Sequence, residues 1–129
     1  MKTIKQKVEF KASPHDVYEA LMDQKKHAKF TGCPAKISRE EGGKFKVYDG
    51  LVGENVKLVK DKKIVQKWRC MMEGWPKDHY SILEFDLKKS KNGTILQLKQ
   101  KHVPDECADD ISEGWHDFYW KPMKKLFEG

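Results

Sequence analysis

Turn signals cut residues 35–103 into short alternating segments: Gly42-Gly43, Asp49-Gly50, the charged corner KDKK at 60–63, and Lys91-Asn92-Gly93. Asn-Gly between alternating runs is the strongest short-range hairpin signal, because the tight turn needs positive φ at its central residues. The stretches between the turns, AKISRE, KFKVYD, VGENVKLV, KIVQKWRCMM, HYSILEFDLK and TILQLKQKHV, read as six antiparallel strands. A chain that doubles back this often is committed to a sheet of neighbouring hairpins.

The flanks supply the rest. Ile4, Val8 and Phe10 alternate with Lys5, Lys7, Glu9 and Lys11, the period of a half-buried strand. Ser13 is placed to cap a helix that opens on Pro14, with Asp16 at its third position. Val17, Tyr18, Leu21 and Met22 share its face, and a second short helix is expected from Lys25 to Phe30, stopped by Gly32 and Pro34. After Val103 the chain turns helical, with Asp105, Glu106, Asp109 and Asp110 at the start and Lys121, Lys124 and Lys125 near the end, as the helix dipole favours. At α-helical spacing Ile111, Trp115, Phe118, Tyr119, Pro122, Met123 and Leu126 gather on one side. Trp120 and Phe127 fall off that stripe, so Trp120 either packs at the sheet edge or is displayed to a partner. Pro122 removes the bond to the carbonyl of Phe118 and predicts a kink. The expected architecture is α+β: one domain, residues 1–129, with a curved antiparallel sheet of six to seven strands, two short helices after the first strand, and a long terminal helix across the concave face.

Composition narrows the function. The formal charge is +6 from 26 basic and 20 acidic residues, and only Arg39 and Arg69 are arginines. Base and phosphate recognition favours the guanidinium fork, so a lysine surface argues against a nucleic-acid reader and suits acidic protein partners. Cys33, Cys70 and Cys107 are odd in number and far apart, which predicts reduced thiols. No apolar run approaches the ~20 residues of a membrane span, and MKTIKQKVEFK alternates instead of forming a signal peptide. A soluble, cytoplasmic protein is expected.

Polar residues also fall among inward positions. Glu54 alternates with Val52 and Val56, Gln66 with Ile64 and Trp68, and Gln100 and His102 with Leu96 and Leu98. Beneath a long helix such groups need partners or water, which predicts a wet cavity lined by Glu54, Gln66, Trp68, Phe85, Leu98, Gln100, Trp115, Phe118 and Tyr119. The competing reading is a bulge that slips the register and turns these groups to solvent. Trp120, Lys121, Lys124 and Lys125 are the candidate partner-binding residues. The five histidines show no metal-ligand spacing, and neither a Gly-x-Ser-x-Gly elbow nor a P-loop is present. No cofactor, metal or catalytic role is expected.

FTGCPAKISREEGGKFKVYDGLVGENVKLVKDKKIVQKWR at 30–69, GWPKDHYSILEFDL at 74–87, KNGTILQLKQKHVP at 91–104 and GWHDFYWKPMKKLF at 114–127 together resemble the carboxy-terminal domain of the activators of the heat-shock protein 90 ATPase. The marks are Gly42 to Phe45, Asp49-Gly50 before Gly53-Glu54, Lys67-Trp68-Arg69, and Gly114-Trp115 leading into Phe118-Tyr119-Trp120. The resemblance covers nearly the whole chain. It implies a helix-grip fold of the START-like, birch-pollen-allergen-like superfamily and a stress-response co-chaperone that favours the closed chaperone dimer while hydrolysing nothing itself. Since the chain opens directly on the first strand, a stand-alone domain without the family's amino-terminal domain is expected. The wider superfamily implies the alternative, a small lipid-like ligand held between sheet and last helix.

Overall fold

In the computed structural model, which describes residues 1–48 and 50–128, the first strand, β1 (Lys2–Phe10), and the second, β2 (Ala35–Ile37), occupy opposite edges of one sheet. Between them run β7 (Gly93–Val103), β6 (Ser81–Ser90), β5 (Lys63–Cys70), β4 (Leu51–Val59) and β3 (Lys44–Val47), in the order β1-β7-β6-β5-β4-β3-β2. Every neighbouring pair is antiparallel. The link from β1 to β2 must therefore traverse the sheet, and helices α1 (Pro14–Met22) and α2 (Gln24–Thr31) make it.

Local chemistry fixes those helices. Ser13 Oγ accepts from the Asp16 amide at 3.1 Å and Pro14 opens α1. Asp23 caps α2 by accepting from the Lys25 and Lys26 amides at 2.9 and 3.0 Å, and Gly32, at φ 74°, ends it in the left-handed conformation. The buried face of α1, Val17, Tyr18, Leu21 and Met22, joins Ile4, Val8 and Phe10 of β1 and Leu83, Phe85, Leu96 and Leu98 of the central strands in one core.

Two irregularities reset the strand alternation. Opposite β5, residues Asn55 and Lys57 pair with Gln66 and Val65, leaving Val56 as an extra residue that is half-exposed. The inward set of β4 is therefore Leu51, Gly53 and Asn55, and Glu54 stands on the outer face instead of in the interior. Gly53 admits the crowding: a Cβ there would lie 2.0 Å from the Lys67 carbonyl oxygen and 2.4 Å from the Phe45 ring. In β7, His102 has φ 61° and lies within the register shift against β1, so it turns outward while Val103 is buried. Of the Asp49-Gly50 turn signal, Asp49 lies outside the described residues.

The terminal helix changes pitch midway. A 3-10 turn, Asp105–Cys107, leads into α3 (Ala108–Gly114), then a π-helical segment, Trp115–Trp120, then α4 (Lys121–Glu128). The Lys121 amide bonds the His116 carbonyl, five residues back. Residues five apart on an α-helix point roughly 140° away from each other; the wider turn brings them together. Trp115 and Trp120 accordingly stack, with centroids 5.6 Å apart and planes at 18°. This decides between the two readings of Trp120, which packs against the edge strand β1, and overturns the expectation for Phe118. Trp120 is 2% exposed and part of the core, so it is not displayed to a partner; Phe118, expected in the core, is 65% exposed. Pro122, which lacks an amide hydrogen, is the second residue of α4, directly after the widened turn.

Indole nitrogens fasten this helix to the sheet. Trp115 Nε1 donates to Gln100 Oε1 at 2.9 Å, and Trp120 Nε1 to Gln6 Oε1 at 2.7 Å. Gln6 Nε2 in turn donates to the Ser112 carbonyl and hydroxyl, both at 2.9 Å.

Candidate functional site

Gln66 and Gln100 both point inward, yet protein groups rather than water satisfy them. Gln66 Nε2 donates to Asn55 Oδ1 at 2.9 Å, and Asn55 Nδ2 donates to the Ser38 and Glu40 carbonyls at 2.8 and 3.1 Å. Gln100 accepts from Trp115 and donates to Ser81 Oγ at 3.0 Å, whose hydroxyl donates to the Trp68 carbonyl at 2.9 Å. Such closed chains avoid the ~1–3 kcal/mol cost of an unpaired buried polar group. The remaining void between sheet and helix measures about 20 Å³, with Gln66, Trp68, Phe85, Trp115 and Tyr119 among its walls. That is room for about one water. The ligand-sized wet cavity expected from the sequence is thus closed; Leu98 and Gln100 are packed in the core, and Glu54 and Phe118 lie outside it.

His27 was not among the sequence candidates, although it shares a helix face with Phe30 three residues on. Its Nδ1 hydrogen donates to the Leu21 carbonyl at 3.1 Å, which leaves Nε2 to accept from the Tyr119 hydroxyl at 2.9 Å. Burial pushes its pKa down to about 4 against a small opposing contribution from that carbonyl. Burial likewise raises Tyr119. The pair fixes the ring that closes one side of the void.

Beside the grip helix an apolar groove of about 520 Å³ opens to solvent. Trp68, Trp115, Leu51 and Ile111 form its floor, and Tyr48, Met71 and Phe118, 45%, 58% and 65% exposed, form its rim. Those three are too large and too exposed to serve the core. Cys33 and Cys70 line it as free thiols; Tyr48 Oη lies 3.7 Å from Cys70 Sγ. Burial first, then that contact, pushes Tyr48 up to about 12, and burial raises Cys70. Neither group ionises near neutrality by this account, so the groove offers apolar contact and not nucleophilic chemistry. Of the residues expected to line a cavity, Trp68, Trp115, Phe118 and Tyr119 line this groove; the rest of its rim was not legible, because it comes from the β3–β4 turn and the segment after β5. Among the described residues no three His, Cys, Asp or Glu side chains are placed to hold a metal ion, and no helix is long and apolar enough to cross a membrane.

The candidate partner-binding lysines are exposed on α4. Lys121 Nζ pairs with Asp117 at 3.0 Å.

A curved antiparallel sheet closed by a long terminal helix, with two short helices after the first strand, defines a helix-grip protein. The chain belongs to the family described as Activator of Hsp90 ATPase homolog 1-like protein, whose model matches residues 11–128. It is 33% identical over 120 residues to Activator of 90 kDa heat shock protein ATPase homolog 2 of Mus musculus, covering 92% of this chain and 36% of that one. A Dictyostelium discoideum homologue of the same activator is 34% identical over 116 residues, covering 88% and 30%. The chain thus spans about a third of the length of the curated relatives it matches. In fold it is similar to a Plasmodium falciparum HSP90 activator, with TM-score 0.88, 21% identity and coverage of 96% and 94%. It is also similar to the Aha1 dimer of Colwellia psychrerythraea, with TM-score 0.81, 20% identity and coverage of 98% and 97%.

Proposed function

We propose that this protein binds heat-shock protein 90 and raises its ATPase rate by favouring the closed dimer, contributing no catalytic group of its own. The observation that supports the reading most is the 33% identity, across 92% of the chain, to a relative named as an activator of that ATPase. The physical requirement is differential affinity: at saturation, a partner that binds the closed state tenfold better than the open one shifts the equilibrium by about 1.4 kcal/mol. A chain carrying +6 meets an acidic partner faster at low salt, and exposed charges are screened beyond ~10 Å at 0.1 M.

The test is ATP turnover by purified heat-shock protein 90 with increasing amounts of this protein, after subtracting the activity that survives a specific chaperone inhibitor. A saturable rise that weakens as salt is added is expected. A flat response at concentrations well above those in cells overturns the reading.

A second reading rests on the groove: its 520 Å³ falls within the range of roughly 300–1,000 Å³ typical of small-molecule sites. An apolar ligand would then sit against Tyr48, Met71 and Phe118, outside the sheet–helix interior, and Phe118→Ala would weaken binding of an apolar fluorescent dye. Unchanged dye affinity in that variant removes this reading.

A further inference from the structure

We propose that the outer face of the sheet, and not the terminal helix, is the surface that docks an acidic protein segment; this deepens the partner-binding reading above and rests on it. The first observation is where the charge lies. Residues 104–128 carry three lysines against seven carboxylates, a formal −4 in a chain of +6. Lys121, Lys124 and Lys125 therefore stand on the acidic side of the molecule, and one of them is already engaged by Asp117. The positive excess resides elsewhere.

Much of it faces outward from the sheet. On one side of β2 to β5 a depression of about 510 Å³ is walled by Lys36, Lys44, Lys46 and Lys67. Its remaining lining includes Val52, Glu54 and the ring of Tyr80, which is exposed. Lys36 stands directly opposite Lys46, and Lys5 opposite Lys99 farther along the same face.

The second observation is Arg69, whose guanidinium lies 5.8 Å from the Tyr80 ring centroid and whose buried Nε has no hydrogen-bond partner among the described residues. The half-buried Arg69 fork, rather than its buried Nε, is what a carboxylate brought by a partner would meet beside that ring. Val52 and Tyr80 beside these cations offer an apolar spot for one aliphatic or aromatic side chain. The surface thus suits a segment with an apolar anchor flanked by acidic residues.

The carboxylates on the same face decide between protein and nucleic acid. Glu54 pairs in register with Lys44 on one side and Lys67 on the other, and Glu84 is bonded to Lys63 at 2.6 Å. A phosphate backbone, with its charges closely and regularly spaced, meets these carboxylates, whereas an acidic polypeptide places its charges irregularly and passes between them.

The full chain, with a fluorescein-labelled peptide of Asp and Glu carrying one Leu and one Phe, gives the direct test by anisotropy, beside an oligouridine RNA of matched length and the ATPase assay. Lys44→Glu/Lys67→Glu is expected to weaken peptide binding about tenfold or more and to lower stimulation in step, whereas Lys121→Glu/Lys124→Glu/Lys125→Glu changes both by less than about twofold. Lys44→Gln/Lys67→Gln, with a thermal unfolding midpoint matched to wild type, guards against a folding defect and is expected to weaken binding less than the reversal. Equal losses from the two charge-reversed sets, tighter binding of RNA than of peptide, or no peptide binding by the wild type each overturn the proposal. Undiminished ATPase stimulation by Lys44→Glu/Lys67→Glu overturns the docking face and leaves the co-chaperone reading standing. Failure of the wild type to stimulate overturns that reading, and the peptide titration then decides the face by itself.

Discussion

His27 shows how much one buried side chain can impose. Its folded pKa of about 4 lies below the ordinary 6.5, so the unfolded chain takes up the proton first. The stability it supports is present above pH 6.5 and is lost as pH falls from there toward 4, amounting to about 2 kcal/mol between pH 7 and pH 5. His27→Gln, which does not titrate, is expected to show a smaller drop in urea midpoint over that interval than wild type; equal drops would show that burial of the imidazole is not the cause. At this scale the sequence is legible where alternation is uninterrupted: Gln66 and Gln100 face inward as their neighbours Ile64, Trp68 and Leu98 imply. Glu54 and His102 do not, because the extra residue at Val56 and the positive φ at His102 shift the parity, and neither leaves a mark in the hydrophobic pattern. The identity of their partners was equally hidden, since Asn55 and Ser81 come from other strands and only the register brings them into reach.

The terminal helix carries its lesson as an element. A stripe drawn at α-helical spacing places Phe118 inside and Trp120 outside, and the single π turn exchanges them. Pro122 was the visible clue that the hydrogen-bond ladder breaks here, but a missing donor does not say in which direction the ladder relaxes. The exchange makes a sharp prediction. Trp120 packs edge-on to Phe10 and Phe85 and donates to Gln6, so Trp120→Ala is expected to cost about 3–5 kcal/mol in denaturant unfolding. Phe118→Ala is expected to change stability by less than about 0.5 kcal/mol, as a surface substitution does. The reverse ranking would mean that the helix runs through this region with ordinary pitch. Other elements were readable because their signals are local: the Ser13 cap, Gly32 and the hairpin turns fix α1, α2 and the strands within a few residues.

Across the whole molecule, the order of strands follows from the hairpins except at one place, the pairing of β1 with β7, which no turn announces. The basic outer face is likewise a property of the assembled sheet, visible only when β2 to β5 are laid side by side, and the groove needs the terminal helix against them as well. That one non-local pairing has a consequence for synthesis on the ribosome. β1 is made first, yet its partner lies about ninety residues later, and the Trp120 indole that holds Gln6 comes later still. At bacterial to eukaryotic elongation rates of ~5–20 residues per second, β1 waits roughly 5–20 s with an open edge. Lys2, Lys5 and Lys7 along it, with Lys11 just past its end, are the charges that discourage edge-to-edge association during the wait. Ribosome-bound chains arrested before β7 has emerged are expected to be cleaved readily by protease, and those released past Trp120 to resist it: the newborn protein locks from its last third backward onto its first ten residues.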